Sequence, residues 1–143
     1  MDFDAALAEI TESVFQATLG FSIAPGPPFQ ALPAGLSGTV EISGAFEGSV
    51  VIESTAVFAR MGAAIMFNRD EDQIAPEEMA DTLGELANMI AGNLKALVGG
   101  GCTLSLPLVF ESSPSGAADL RAVKCTLSLT SAGEPVRVQL LEN

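Results

Sequence analysis

Residues 76–101 read PEEMADTLGELANMIAGNLKALVGGG, and the fold turns on how that stretch is read. Pro76 suits a first helical position, Glu77 and Glu78 the first turn, and Gly99–Gly101 a stop, which predicts a helix from about Pro76 to Val98. At roughly 100° per residue, Met79, Leu83, Leu86, Ile90, Leu94 and Leu97 fall in one arc, the expected core face. Asp81, Glu85, Asn88, Gly92 and Lys95 fall roughly opposite, at spacings of four, three, four and three, and form a continuous stripe. A charged stripe opposite an apolar one is ordinarily a solvated face. Two residues do not suit that reading. Asn is a poor helix former in mid-helix, and a glycine there costs about 1 kcal/mol against Ala. A free solvated face would carry Glu, Lys, Gln or Ala. Asn88 and Gly92 weaken the solvated-face reading only slightly, and leave room beside it for a contact that needs a carboxamide and a close approach.

Working outward, residues 2–19 carry Phe3, Leu7, Ile10 and Val14 at helical spacing, and Gly20 ends that helix. Ala24–Leu36, with Pro25, Pro27, Pro28 and Pro33, reads as a loop. Thr39–Ser43 and Ser49–Ser54 alternate around Gly44 and Gly48 and predict a hairpin. A short helix is expected over Ala56–Phe67, followed by a charged, exposed Arg69–Gln73. Beyond the long helix, three strands are predicted. Thr103–Glu111 would place Leu104, Leu106, Leu108 and Phe110 on one face, and Ala122–Thr130 would do the same for Val123, Cys125, Leu127 and Leu129. Val136–Leu140 is the last and, lying at the end of the chain, is expected at a sheet edge. The loop Ser112–Asp119 and the turn Ser131–Glu134 separate the three. The order α, ββ, αα, βββ predicts an α+β domain over residues 1–143, an antiparallel sheet with two main helices and a short one packed on it.

Composition excludes whole classes of chemistry. With 18 acidic and 6 basic residues the chain carries a net charge of −12, unsuited to nucleic acid or an anionic membrane surface. There is no histidine, so imidazole catalysis and histidine-ligated zinc are out. Cys102 and Cys125 are expected as buried small hydrophobes in a reduced cytosol rather than as a disulfide. The start Met-Asp-Phe-Asp has no basic or apolar leader pattern, and no apolar run is long enough to span a bilayer, so the cytoplasm is the expected location. Asp70, Glu71 and Asp72 lack calcium-loop spacing. Gly99–Gly101 end a helix without the Lys-Ser or Lys-Thr of a phosphate loop. Met61, Met66, Met79 and Met89 are expected in the core or in contacts.

The run Leu83-Gly84-Glu85-Leu86-Ala87-Asn88-Met89-Ile90-Ala91-Gly92-Asn93 resembles the signature helix of the CheC/CheX/FliY phosphatase family. That pattern has an acidic residue, then Glu, then Asn three later, with a Pro further on. Asp81, Glu85, Asn88 and Pro107 stand at those places. A single such helix makes the chain most like the CheX branch, because the N-terminal helix offers no Asn three after Glu9 or Glu12. The resemblance implies a response-regulator phosphatase in chemotaxis or related two-component signalling, acting on the aspartyl phosphate of a CheY-like receiver. It implies that Asn88 orients the hydrolytic water and Glu85 pairs with the receiver's Lys. Asp81, Gly92, Lys95 and Pro107 would meet the partner. No cofactor of its own is implied, since Mg²⁺ sits in the receiver, and CheX-type proteins pair, so a homodimer is expected. The alternatives are a receiver-binding or flagellar adaptor without catalysis, for which Asn88 would have no use, and a subunit that oligomerises through a sheet edge.

Overall fold

The computed structural model describes residues 2–29, 32, 34–111 and 122–143. Helix α1 (Phe3–Leu19) starts where Asp2 Oδ1 accepts the Ala5 N–H at 3.1 Å, and ends at Gly20, whose φ of 71° is open to glycine at little cost. Strand β1 (Ala24–Pro25) is short. It falls in the stretch read as a loop, as does the start of β2 (Gly35–Ser43), which pairs with β3 (Gly48–Thr55) as the expected hairpin. Thr55 Oγ1 accepts the Phe58 N–H at 3.0 Å and so caps α2 (Ala56–Met66). A 3-10 turn (Glu71–Gln73) leads to α3 (Pro76–Val98), whose ends are those the sequence predicts. Glu78 reaches back to the Ala75 N–H at 2.9 Å and also pairs with Arg69 at 2.7 Å, which fixes the entry of α3.

The rest is strand: β4 (Thr103–Leu104), β5 (Leu108–Glu111), β6 (Ala122–Ser131) and β7 (Glu134–Glu142). The loop expected over Ser112–Asp119 lies outside the described residues. Among the described residues the strands form one sheet in the order β1-β6-β7-β3-β2-β4, with β5 on the same outer edge of β2 as β4 and every pairing antiparallel. The expectation for the last strand is corrected here. Strand β7 is not an edge: it lies between β3 and β6 and is bonded on both sides. Sequence order does not give spatial order in a sheet where a strand late in the chain inserts beside an early hairpin.

One face of the sheet carries Val40, Ile42, Val50, Ile52, Val136, Val138 and Leu140, all buried. Helix α3 lies on it and also touches α1 and α2. Gly38 lets the helix come close, since a Cβ there would stand 3.1 Å from the Leu83 carbonyl oxygen. Phe15 of α1 stacks on Phe58 of α2 with ring centroids 5.5 Å apart, which ties those helices together over the core. Cys102 and Cys125 are free and buried, as expected. Burial pushes the Cys125 thiol up to about 11, aided by the negative charge of Asp4, so it stays protonated and unreactive near neutrality.

Two alternation readings are also corrected. Three residues, Ser105, Leu106 and Pro107, oppose only two, Val40 and Glu41, between the pairs Ile42↔Leu104 and Thr39↔Leu108. That extra residue is a bulge, and it flips the face presented by everything after it. Leu106 (85%), Leu108 (67%) and Phe110 (56%) are exposed in consequence, while Val109 turns inward. A second irregularity between Val123 and Cys125 puts Val123 outside while Cys125 and Leu129 stay in the core. There Lys124 pairs with Glu142 at 3.2 Å.

Candidate functional site

The site is built on the outer side of α3. Met79, Leu83, Leu86, Ile90 and Leu94 are buried as the helical arc requires. Leu97 is not: it is 52% exposed, while its neighbour Val98 packs against the core, so the buried face has turned away from Leu97 at the end of the helix. More of the helix is covered than the apolar arc alone asks for, since Thr82, Gly84, Ala87 and Ala91 are buried too. What remains open through the middle turns is a strip: Asp81 and Glu85 are exposed, Ala80, Asn88, Met89 and Gly92 half-buried, and Asn93 and Lys95 exposed beyond them. A strip hemmed in on both sides is a different object from a broad solvated face.

Within the strip the polar groups are unengaged. Among the described residues the side chains of Asp81, Glu85, Asn88 and Lys95 make no hydrogen bond or ion pair with the rest of the chain. The contrast is Asn93, in the same run, whose Nδ2 donates to the Met89 carbonyl at 2.8 Å. Residues three apart on a helix have Cβ atoms about 5–6 Å apart, so Glu85 and Asn88 can reach one partner group together. The carboxamide can donate and accept at once, and the carboxylate accepts only. Gly92 is open as well. Among the described residues a Cβ built on it meets nothing within 4 Å beyond its own helix, so no packing against them explains a glycine there.

Pro107 comes to the strip from the far side. The bulge carries it over α3, and with Val109 it walls a cleft of about 470 Å³ whose other lining includes Ala80, Asp81, Gly84 and Glu85. Lys95 and Gly92 line a second hollow of about 400 Å³ that runs to Gly99–Gly101 and Leu104. The structure thus gathers Asp81, Glu85 and Pro107 around one cleft and sets Gly92 and Lys95 at another, with Asn88 on the strip between them. Sequence reading missed Gly84, Val109 and Ser105, which shape the first cleft. The available signal was Pro107 inside an alternating run, since a proline in a strand pattern marks an edge or a bulge. Among the described residues no group of three or more His, Cys, Asp or Glu is placed to hold a metal ion, and no helix is long and apolar enough to cross a membrane.

A sequence profile for the family described as "Chemotaxis phosphatase CheX" matches residues 36–127. The chain belongs to that family. The match takes in β2, β3, α3 and the Pro107 bulge, the elements that form the strip and its cleft. No curated protein gives a significant match. Among solved structures, the chemotaxis protein CheX of Desulfovibrio desulfuricans superposes with a TM-score of 0.79 at 19% identity over 100% of both chains. A CheX of Borrelia burgdorferi, solved in complex with CheY, BeF3 and Mg, superposes at 0.77 with 21% identity, covering 98% of this chain and 97% of that one. FliY of Thermotoga maritima shares the fold at 0.61 with 16% identity, over 96% and 84%. The CheX architecture, an antiparallel sheet with its helices on one face, is therefore the fold of this chain.

Proposed function

We propose that this chain hydrolyses the aspartyl phosphate of a CheY-like receiver domain. The observation that carries the reading is the unengaged pair Glu85 and Asn88 on one turn of a hemmed-in helix strip, in a chain of a chemotaxis phosphatase family. A receiver brings its own Mg²⁺ and Lys to the phosphoryl group, and these offset the charge that develops as the P–O bond breaks. The missing part is a water held in line. Asn88 supplies it: the carboxamide holds the water, whose oxygen attacks phosphorus. The receiver's aspartate leaves as carboxylate, and the water's proton goes to the departing phosphate. Half-burial restricts the Asn88 side chain and so prepays part of the ordering. Glu85 pairs with the receiver's Lys, and Asp81, Gly92, Lys95 and Pro107 make up the surrounding contact. The Borrelia CheX bound to CheY supports a receiver as the partner. Following the lifetime of the phosphoryl group on a candidate receiver tests the reading. Addition of the chain should shorten it, and an unchanged or lengthened lifetime would favour a non-catalytic adaptor.

Gly92 gives a sharper check. Among the described residues a methyl at this position meets nothing within 4 Å beyond its own helix, and the helix gains about 1 kcal/mol. Gly92→Ala should therefore melt about 3 °C higher than wild type. A receiver seated against the bare backbone would meet the new methyl, so its binding should weaken about tenfold. Higher stability with undiminished binding would remove Gly92 from the contact.

We also propose a homodimer, now through β5 rather than β7. Among the described residues the outer edge of β5 has no strand partner, and Leu106, Leu108 and Phe110 are exposed along it. An apolar edge of that kind is a template for a second strand. Light scattering at micromolar concentration should give twice the chain mass for wild type and the single mass for Leu108→Lys. A wild-type monomer would end this proposal.

A further inference from the structure

We propose that Gly84 is a positioning residue: its missing side chain lets Pro107 and Val109 close on α3, so that the carboxylates of Asp81 and Glu85 stand in a walled cleft instead of on a convex helix surface. The requirement is steric and not conformational, because Gly84 has no left-handed φ. It is buried in mid-helix, where glycine is a poor choice on propensity. A Cβ built on it would stand 3.1 Å from Pro107 Cβ and 3.3 Å from Val109 Cγ2, tighter than ordinary contact.

Pro107 is not free to retreat. The Ser105 N–H donates to the Glu41 carbonyl at 3.0 Å, the Glu41 N–H donates to Ser105 Oγ at 2.9 Å, and Ser105 Oγ donates to the Leu106 carbonyl at 3.0 Å. Strands β4 and β5 pin the bulge on either side of these bonds. The room for the proline ring therefore comes from the helix, and an Ala at position 84 would push Pro107 and Val109 outward by a few tenths of an ångström. What results is a cleft of about 470 Å³ with two carboxylates on one side and an apolar wall on the other. That pairing suits an aliphatic stem ending in a cationic head, since the stem packs on Pro107 and Val109 while the head meets Glu85. The wall also removes water from one flank of the ion pair, where full solvation would leave it weak. This inference rests on the receiver reading above, in which the entering side chain is lysine.

The test uses Gly84→Ala, Pro107→Gly and the double variant of the full chain, assayed on a phosphorylated receiver. Both single variants should raise KM about tenfold and change kcat by no more than about twofold. If Gly84 acts through the proline, the double variant should be no worse than Pro107→Gly alone. Wild-type KM in Gly84→Ala, a loss confined to kcat, or losses that multiply in the double variant would each overturn the proposal. Should Gly84→Ala fail to fold, Pro107→Gly still decides, because an unchanged KM there means that the wall does not matter. A second readout needs no receiver. In the isolated wild-type protein a magnetisation-transfer peak between Gly84 Hα and Pro107 Hβ is expected, and its absence would refute the closure. If that peak is present but wild type neither hydrolyses a phosphorylated receiver nor binds its beryllofluoride–Mg²⁺ form, the receiver reading has failed and the closure stands.

Discussion

Asn88→Ala is expected to keep the fold and lose about 100-fold in kcat, the scale on which a misplaced reacting group slows an enzyme. The fold should survive because the Asn88 side chain has no partner among the described residues and is half-buried beside the core rather than in it. Ala is also the better helix former. The chemistry should not survive. Nothing else on the strip combines a donor with an acceptor for the water, since the carboxylates of Asp81 and Glu85 only accept and Lys95 only donates. Thermal melting and far-ultraviolet dichroism would confirm the fold, and phosphate release from the receiver would give kcat. Wild-type turnover in the variant would remove Asn88 from the mechanism.

Glu85→Ala should act on the other constant. Truncating one member of a charge pair that becomes buried on binding costs about 2 kcal/mol or more, or a KM about 30-fold higher, with kcat changed far less. Salt separates this from a packing effect. Before the two charges meet they are solvated and their attraction is screened, so wild-type association should slow as salt is added at fixed Mg²⁺. Loss of Glu85 should flatten that slope. Elsewhere the excess negative charge of the chain, −12 in all, acts in the opposite sense and would make association faster with salt if it crowded the contact. Steady acceleration by salt in wild type would mean that the docking face lies somewhere other than the α3 strip.

The long helix was legible from its ends and period because both are local signals: a proline and two acids at one end, three glycines at the other, and an unbroken apolar arc between them. Both hairpins could be read for the same reason, and Ala132 and Gly133 take positive φ values of 52° and 78° in the turn between β6 and β7. The misread features are those that depend on distant contacts. Alternation of Leu104, Leu106, Leu108 and Phe110 runs through the bulge, where Pro107 marks an edge or an irregularity, and pairing with β2 shows that one residue is extra. Strand β7 reads as terminal and is interior, because the sheet inserts it between strands distant in sequence. Leu97 fits the apolar arc and is still exposed, with Val98 packed on the core in its place, which no local period can report. Of the candidate site, the shared arc of Asp81, Glu85, Asn88, Gly92 and Lys95 is legible from helical spacing. The cleft is not, because it exists only where Gly84 meets Pro107 and Val109.

Counting the phosphates released per chain is the most direct test of a receiver phosphatase. A phosphorylated CheY-like receiver would be mixed with wild type or Asn88→Ala at one chain per fifty or so receivers, at fixed Mg²⁺, and phosphate followed to completion. Wild type is expected to clear the whole pool over many turnovers, faster in proportion to the chain added, and Asn88→Ala to leave the pool decaying near its spontaneous rate. Decay that wild type does not accelerate, or that Asn88→Ala accelerates equally, would contradict the assignment of hydrolysis to this strip.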